Sequence, residues 1–324
     1  MLEHLNKGDY IKPRQGETKL GEDFIWLGRD WRDEMTSDQL KYVIVGVRED
    51  FGPRANLGKP GAKDFFDAFL TTWCNFQSNQ FLNGKEVAVL GCVDFAKNLK
   101  ISKSSTYSLS ELRQGVEKMD EILWTILKDV YKQNKIPILV GGGHNNAFPL
   151  IKGAAVAFNN AIQALNFDAH SDFRNTQEGR HSGNSFSLAM ESGFLDYYCV
   201  AGLHKNYNSQ YLIDTMDAKK IATLYLEDIP IGASEEFLNQ WIEVKLKSNR
   251  KLGIEIDMDG IENIKSSAQS PYGFSLRTMR NLIQYLAGDK RICYLNITEA
   301  IPDENNQSAK AASYLVGDFI NRKT

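Results

Sequence analysis

Strand-like apolar runs alternate with amphipathic helical segments along most of this 324-residue chain. The runs are short and rich in β-branched residues, and several end at glycine or at polar side chains, which is typical of strands buried on both faces of a parallel sheet. We predict strands at residues 42–47, 87–91, 136–140, 161–167, 197–203, 221–226, 252–256 and 292–297. We predict helices within residues 63–81 and at residues 108–133, 146–159, 209–218, 234–247, 275–287 and 308–321. This alternation predicts an α/β fold, with a mostly parallel sheet covered by helices on both faces.

The same pattern indicates how the chain divides into domains. Residues 1–40 are polar and lack the alternation, so we expect an irregular N-terminal lead-in with one short helix. No stretch rich in proline, glycine and serine interrupts residues 41–324. Length and composition alone also permit two small domains. The unbroken alternation favours a single α/β domain over residues 41–324.

The net charge indicates which class of partner the protein binds, and the cysteines indicate its cellular compartment. A formal net charge of −3 predicts no basic surface for nucleic acid or for an anionic membrane, so a small-molecule substrate fits better. Three of the four cysteines, Cys92, Cys199 and Cys293, lie in strand-like runs, where a buried free thiol is expected. The N-terminus does not resemble a secretion signal, and no apolar run reaches the ~18 residues of a membrane span. We therefore expect a soluble, cytoplasmic protein.

One strand end carries a concentration of polar ligands. The predicted strand 161–167 is followed by Asp168-Ala169-His170-Ser171-Asp172. Side chains on a strand alternate with a period of two, so Asp168, His170 and Asp172 should project to one side. Burying unpaired charges costs roughly several kcal/mol for each, unless a cation or hydrogen-bond donors compensate. A bound cation is the simplest explanation, and a polar strand end capped by neighbouring donors is the alternative.

Three further strand ends repeat this feature. Polar residues follow the strands 136–140, 252–256 and 292–297 as Gly141-Gly142-Gly143-His144, Asp257-Met258-Asp259-Gly260 and Thr298-Glu299. Parallel strands present their carboxyl ends along one edge of a sheet, so all these groups can share one crevice. The triple glycine also suggests a phosphate-binding loop. Since no G-x-G-x-x-G or G-x-x-x-x-G-K-S/T motif is present, close approach of the backbone to a metal pocket is the favoured interpretation.

The candidate ligand set is rich in carboxylates and consists of His144, Asp168, His170, Asp172, Asp257 and Asp259. Four carboxylates and two imidazoles exceed the four ligands of a structural zinc site. They suit a pair of divalent cations with an oxygen-rich shell, and they favour manganese over a metal bound by thiolates. Two such ions ~3.5–4 Å apart would polarise a bridging water and bring its pKa towards ~7. The sequence therefore predicts a binuclear hydrolytic centre.

These four polar segments, in this order, resemble the signature segments of the ureohydrolases, the family that includes arginase, agmatinase and formimidoylglutamase. The resemblance extends from about Val43, through residues 58–62, to the C-terminus. It implies a three-layer α/β/α arginase-like fold, two Mn²⁺ per chain held by the six residues above, and hydrolysis of a guanidinium or amidinium carbon. It also implies assembly into trimers or hexamers. Glu299 would lie opposite the metals and accept hydrogen bonds from the amidinium of the substrate.

Residues after the second motif indicate a branch of this family. Asp172-Phe173-Arg174 resembles the D-x-R of formimidoylglutamases, and a guanidinium is a bidentate clamp for a carboxylate. Pairing of Arg174 with a neighbouring acid is the alternative. Further candidates for the clamp are Arg180 and the basic residues of the loop 48–63, which are Arg48, Arg54 and Lys59.

The loop 180–185 departs from the arginase pattern, in which histidine directly precedes glycine. Here Ser182 precedes the glycine and His181 is displaced by one position, as a candidate proton shuttle. Asn184 is a candidate substrate-binding residue. A second departure is Glu255, where relatives usually carry a small hydroxyl residue. It is open whether Glu255 accepts a hydrogen bond from behind the metal ligands, pairs with a lysine, or tightens the pocket for a cation.

The resemblance and the candidate arginine clamp together indicate a substrate. N-formimidoyl-L-glutamate has two carboxylates for a guanidinium to bind, whereas agmatine has none. We therefore expect hydrolysis of N-formimidoyl-L-glutamate to L-glutamate and formamide, a reaction of histidine degradation. Hydrolysis of a guanidino compound with release of urea is the alternative within the family, and a non-catalytic binding protein of the same fold is the alternative outside it.

Overall fold

The computed structural model describes residues 2–99, 107–230, 235–246 and 248–321. Within these residues the strands are β1 Leu2–Glu3, β2 Ile25–Trp26, β3 Tyr42–Arg48, β4 Val87–Asp94, β5 Ile136–Val140, β6 Ile162–Phe167, β7 Leu195–Leu203, β8 Ala222–Tyr225, β9 Leu252–Asp257 and β10 Ile292–Thr298. The α-helices are α1 Leu20–Asp23, α2 Trp31–Glu34, α3 Phe51–Ala55, α4 Phe65–Cys74, α5 Phe95–Leu99, α6 Leu109–Lys132, α7 Ala147–Phe158, α8 Ser185–Glu191, α9 Gln210–Ala218, α10 Glu235–Lys245, α11 Leu276–Leu286 and α12 Gln307–Ile320.

The strands form one sheet in the order β1-β4-β3-β5-β10-β9-β6-β7-β8, and β2 also pairs with β4. Only the pairing of β1 with β4 is antiparallel among the described strands. The mostly parallel sheet predicted from the alternation is therefore confirmed. The four strands whose ends carry the polar motifs, β5, β10, β9 and β6, are consecutive neighbours, so their carboxyl ends lie side by side.

Apolar side chains cover both faces of the sheet. Along β3, Ile44 belongs to one core, while its neighbours Val43 and Val45 belong to the other, as expected for a strand that is buried on both sides. The first core includes residues of α4, α10, α11 and α12, and the second includes residues of α6, α7, α8 and α9. The three-layer α/β/α architecture is thereby confirmed.

The boundaries differ from the sequence-based expectation at several places. The described part of the lead-in 1–40 contains two short α-helices, one 3-10 helix at Lys7–Asp9 and two short strands, and these strands extend the sheet beside β4. The predicted loop 48–63 contains α3, and α8 was not predicted. The predicted ends of one helix, Ser234 and Lys247, lie outside the described residues. The proposed division of the chain at residue 41 remains a prediction.

The structure also bears on the expectations about the cysteines and about membrane spans. All four cysteines are buried free thiols, including Cys74, which lies at the end of α4 rather than in a strand. Across the described ranges, we find no helix with the combination of length and apolar character that crossing a bilayer requires.

Candidate metal centre

The residues after β6 form a turn and do not continue the strand. β6 ends at Phe167, and Oδ1 of Asp168 accepts a hydrogen bond from the backbone N–H of His170 at 2.7 Å. Asp172 has a φ of 46°, in the left-handed region. Strand alternation is therefore the wrong reason for the convergence of these side chains. The turn itself directs Asp168 and Asp172 towards the end of β5.

His144, at the end of the glycine loop after β5, lies among three carboxylates. Its Nδ1 atom is 2.8 Å from Oδ2 of Asp172, 3.1 Å from Oδ2 of Asp257 and 3.3 Å from Oδ2 of Asp168. The four residues are buried, and each offers a ligand atom within 4.8 Å of the others. Three separate strand ends thus meet at one point, as the sequence predicted.

His170 lies beside the same cluster and defines a second group of ligands. Its Nδ1 atom is 3.6 Å from Oδ1 of Asp168 and 3.9 Å from Oδ2 of Asp259. Asp168 therefore faces His144 with one oxygen and His170 with the other. The ring of His170 stacks on Tyr207, with 5.4 Å between the ring centroids and 15° between the planes. The six predicted ligands form two adjacent groups that share Asp168.

The charges of this cluster indicate what it can hold. Within the described ranges, the ion pairs of its aspartates are to histidines and not to lysine or arginine. Burial and then the neighbouring Asp168 and Asp259 raise the pKa of Asp257 well above its usual range. Burial lowers the pKa of His170, but its hydrogen bond with Asp168 and the nearby carboxylates outweigh this and raise it to about 10. Buried carboxylates that repel one another, with two imidazoles beside them, fit divalent cations that prefer oxygen ligands.

The glycine loop packs closely against neighbouring side chains at the end of β5, where a side chain on its glycines would clash. Gly141 and Gly142 have φ values of 95° and 71°. A Cβ on Gly142 would lie 2.7 Å from Oε1 of Glu49 and 2.5 Å from the side chain of Asn146. Glu49 is buried, and its carboxylate accepts hydrogen bonds from the backbone N–H groups of Gly143 at 2.5 Å and Gly52 at 3.1 Å. Glu49 was missed by sequence reasoning, although it directly follows β3 and so lies at the same sheet edge.

Glu299 lies at the end of β10 and faces the same cavity as the aspartates. Its Oε1 atom accepts a hydrogen bond from the backbone N–H of His144 at 2.7 Å. Its Oε2 atom is buried and has no hydrogen-bond partner among the described residues. Burial and the neighbouring Asp259 raise the pKa of Glu299 to about 8, and a cation bound beside Glu299 would favour its charged form. One carboxylate oxygen thus holds the glycine loop, and the other has no hydrogen bond among the described residues and lies near the hydroxyl of Ser267.

The cavity has a volume of about 210 Å³ and leads from the surface to the aspartates. Arg174 lines it, with 48% of its side chain exposed, and donates through Nε to Glu178 at 3.2 Å. Its two terminal nitrogens have no partner among the described residues, so both sequence interpretations of Arg174 are compatible with this position. Asn56 lies nearby, since a Cβ on Gly183 would be 2.8 Å from Nδ2 of Asn56 and 3.0 Å from Cδ of Arg174. No sequence signal distinguished Asn56 from other polar loop residues.

The structure does not bring the other candidate basic residues into the cavity. Arg48 is bound by Asp67 and Glu3. Arg180 is buried and donates to the carboxylate of Asp120 at 2.7 Å. Arg54 lies 3.5 Å from Asp50, and Lys59 is an exposed loop residue. The loop 48–63 does line the cavity, but through neutral residues that include Pro53, Asn56 and Gly58.

Asn184 and His181 do not line the cavity, and their hydrogen bonds stabilise the loop that carries them. The amide of Asn184 donates to the backbone carbonyl of Gly179 at 2.8 Å and accepts hydrogen bonds from Arg180 and from the backbone N–H of His181. Nδ1 of His181 accepts a hydrogen bond from the backbone N–H of Gly183 at 3.1 Å. Burial and the charge of Arg180 lower the pKa of His181 to about 3. These positions give no support to substrate binding by Asn184 or to a proton shuttle at His181.

We expect Asp120→Ala to lower the free energy of unfolding by about 3–5 kcal/mol, because it leaves the buried guanidinium of Arg180 without its carboxylate. Urea denaturation of the full-length protein measures the change. Asp129→Ala removes an exposed ion pair with Arg32 and should cost less than about 1 kcal/mol. Equal losses in the two variants would contradict the role assigned to the Asp120–Arg180 pair.

A sequence profile described as the Arginase family matches residues 40–321 of this chain. Among curated proteins, the formimidoylglutamase of Macrococcus caseolyticus is 23% identical over 299 residues, which cover 90% of this chain and 88% of the relative. The formimidoylglutamase of Lysinibacillus sphaericus is 23% identical over 303 residues, covering 89% and 87% of the two chains.

Two solved structures have a similar fold. Formiminoglutamase from Trypanosoma cruzi with Mn²⁺ superposes with a TM-score of 0.74 at 16% identity, covering 94% of this chain and 98% of that chain. Formimidoylglutamase from Bacillus subtilis superposes with a TM-score of 0.75 at 16% identity, covering 98% of this chain and 95% of that chain.

Proposed function

Since this chain belongs to the arginase family, we propose that it hydrolyses the amidine C–N bond of N-formimidoyl-L-glutamate. One water is consumed, and the products are L-glutamate and formamide. The observation that carries the proposal is the position of Glu299, whose unpartnered carboxylate oxygen faces the same cavity as the two groups of metal ligands. The names of the similar curated proteins support this choice of substrate.

We assign two Mn²⁺ to the carboxylate cluster. The first would be held by His144, Asp168, Asp172 and Asp257, and the second by His170 with Asp259 and the shared carboxylate of Asp168. The oxygen-rich donor set favours manganese over a thiolate-bound metal. When bound, such ions supply the positive charge that activates a water for attack near neutral pH.

The residues of the chain position the substrate for that attack. The free oxygen of Glu299 accepts a hydrogen bond from the cationic amidinium, and this charge-assisted contact turns the electrophilic carbon towards the metal ligands. The same carboxylate accepts hydrogen bonds from the nitrogens of the amidinium and keeps the carbon in place while it becomes tetrahedral. The hydrogen bond from the backbone N–H of His144 holds the carboxylate of Glu299 in this position, so the carboxylate does not reorganise during the reaction.

Arg174 binds a carboxylate of the substrate in this proposal. Its terminal nitrogens form a planar fork that fits a carboxylate with two parallel hydrogen bonds. The pairing of its Nε with Glu178 holds the guanidinium at the cavity wall. Recognition through an acidic group separates a dicarboxylate substrate from agmatine, which has no carboxylate to offer.

We expect Arg174→Ala to raise KM for N-formimidoyl-L-glutamate by about 10–100-fold, with a smaller effect on kcat, because it removes a contact made equally in the ground state and the transition state. Steady-state kinetics measure both constants. Arg32→Ala, which removes an exposed arginine that does not line the cavity, should leave both constants unchanged. A fall in kcat with constant KM would contradict the assignment of Arg174 to substrate binding.

The proposed reaction is tested by identifying the product. Purified protein loaded with Mn²⁺ should release formamide and glutamate from N-formimidoyl-L-glutamate, and metal analysis should find two manganese ions per chain. Release of urea from a guanidino acid instead would replace the substrate but keep the reaction class. Release of neither product from any formimino or guanidino acid would leave a non-catalytic binding protein.

We also propose that the protein acts in the cytoplasm and assembles into trimers or hexamers. The four buried free thiols are compatible with a reducing compartment. Light scattering of the purified protein measures the assembly, and a monomer would contradict this part of the proposal.

A further inference from the structure

Glu255 is a buried carboxylate that the mechanism above does not use. It lies on β9, two residues before Asp257, and is fully buried. Its Oε1 atom accepts a hydrogen bond from the hydroxyl of Tyr294 at 2.6 Å, and its Oε2 atom accepts one from Nδ2 of Asn296 at 2.6 Å. Nε2 of His144 lies 3.4 Å from the same Oε2 atom. The carboxylate is therefore placed between two donors on β10 and the edge of the His144 ring that faces away from the aspartates.

The two nitrogens of His144 face different groups. Nδ1 faces the carboxylates of Asp168, Asp172 and Asp257. Nε2 is buried and forms no hydrogen bond among the described residues, and the acceptor beside it is the carboxylate of Glu255. A carboxylate beside Nε2 favours the tautomer with the proton on that nitrogen. The lone pair is then on Nδ1, which is the form of imidazole that binds a metal. The ring of Phe186 meets the His144 ring edge-on, with 5.2 Å between centroids, and limits its rotation.

The strand register explains how Glu255 is held. Tyr294 pairs with Gly253 and Asn296 pairs with Glu255 across the parallel β9–β10 ladder. The absence of a side chain at Gly253 makes room for the phenol, because a Cβ there would lie 2.2 Å from the hydroxyl oxygen of Tyr294. The hydroxyl can therefore reach Glu255, two residues further along β9.

We propose that Glu255 is a positioning residue that holds His144 with its Nδ1 lone pair directed at the cation site, and that Tyr294 and Asn296 hold Glu255 in turn. This role rests on the metal centre of the proposed function but is independent of the substrate. Glu255 is not itself placed as a ligand, because both of its oxygens accept hydrogen bonds from β10. Among the described residues it also forms no ion pair with a lysine, so the interpretation as a lysine partner is not supported.

The test is a titration of the metal-free, full-length protein with Mn²⁺ by calorimetry. We expect Glu255→Gln to weaken binding of one of the two ions, the one held by His144, by about 10–100-fold. The ion held by His170 should keep its affinity, because Glu255 does not contact that group. The melting temperature of the metal-free protein should fall only slightly, because glutamine keeps the shape of the side chain, although its amide nitrogen replaces one of the two oxygens that accept hydrogen bonds from β10.

Two further variants separate positioning from a merely structural role. Tyr294→Phe leaves Glu255 in place but removes one hydrogen bond to its charge, so we expect the same ion to bind about threefold to tenfold more weakly. Asp318→Asn changes a different buried carboxylate, which is bound by Arg280 on α11. It should lower the melting temperature of the metal-free protein and leave both Mn²⁺ affinities unchanged.

Wild-type affinity for both ions in Glu255→Gln would overturn the proposal, and so would equal weakening of both ions together with a lower melting temperature. If Glu255→Gln does not fold, wild-type binding by Tyr294→Phe would overturn it instead. A wild-type protein that binds no Mn²⁺ would remove the metal centre and this role together. A protein that binds two ions but does not release formamide would contradict only the proposed substrate.

Discussion

Asp168→Asn is expected to lower kcat/KM by ~10³-fold or more and to reduce the manganese content below two ions per chain. Asp168 is the carboxylate that faces both His144 and His170, so its loss weakens both groups of ligands. Metal ions contribute several kcal/mol of transition-state stabilisation, roughly, and each ~1.4 kcal/mol corresponds to a factor of ten in rate. The formamide assay and elemental analysis of the purified variant measure the two effects.

The asparagine variant keeps the size of the side chain, so its fold can be compared with wild type by circular dichroism. Asp129→Asn, at a partly exposed position paired with Arg32, serves as the matched control and should retain full activity and metal content. A folded Asp168→Asn protein with two manganese ions and undiminished turnover would remove the basis for the shared-carboxylate arrangement.

Glu299→Gln is expected to lower kcat/KM by about 10²–10³-fold while the manganese content stays at the wild-type value. The substitution removes the charge that faces the amidinium, and loss of one such preorganised contact typically costs this much in rate. A glutamine oxygen can still accept the hydrogen bond from the backbone N–H of His144, so the glycine loop should keep its position. The formamide assay gives the rate, and elemental analysis gives the metal content.

Glu304→Gln is a suitable control for this substitution, because Glu304 is exposed and lies in the segment that follows Glu299. Loss of manganese from Glu299→Gln would indicate that this carboxylate supports the metal centre and not the substrate. Unchanged turnover would show that the amidinium is held elsewhere.

The candidate loop residues show where sequence reasoning reached its limit. Arg174, Arg180, His181 and Asn184 are all polar residues within one short segment, and nothing in their order distinguishes those that face the cavity. In the structure, Arg174 lines the cavity, while Arg180 turns inwards to Asp120 and holds Asn184 with it. The direction of each side chain depends on its hydrogen-bond partners. The partner on α6 is distant in sequence, and the partners in the loop backbone take their positions from the conformation of the loop.

Glu255 illustrates the same limit at a strand. Its position on the same face as Asp257 follows from the period of a strand. Its partners Tyr294 and Asn296 lie on β10, 39 and 41 residues away in sequence, and become neighbours only through the register of the β9–β10 pair. The sequence therefore left three interpretations open, and the contacts favour the one in which Glu255 lies behind the metal ligands, with its Oε2 atom 3.4 Å from Nε2 of His144.

The sequence by itself determined the fold class, the eight strands from β3 to β10 and the six candidate ligands, because apolar periodicity and polar strand ends can be recognised within a short stretch of sequence. Only the tertiary structure decided that β5, β10, β9 and β6 lie side by side, that a turn rather than a strand gathers Asp168 and Asp172, and that His181 is buried. Strand order and side-chain direction depend on which surfaces, distant in sequence, pack together. Packing is an interaction between two elements, so the sequence of one element alone does not determine it.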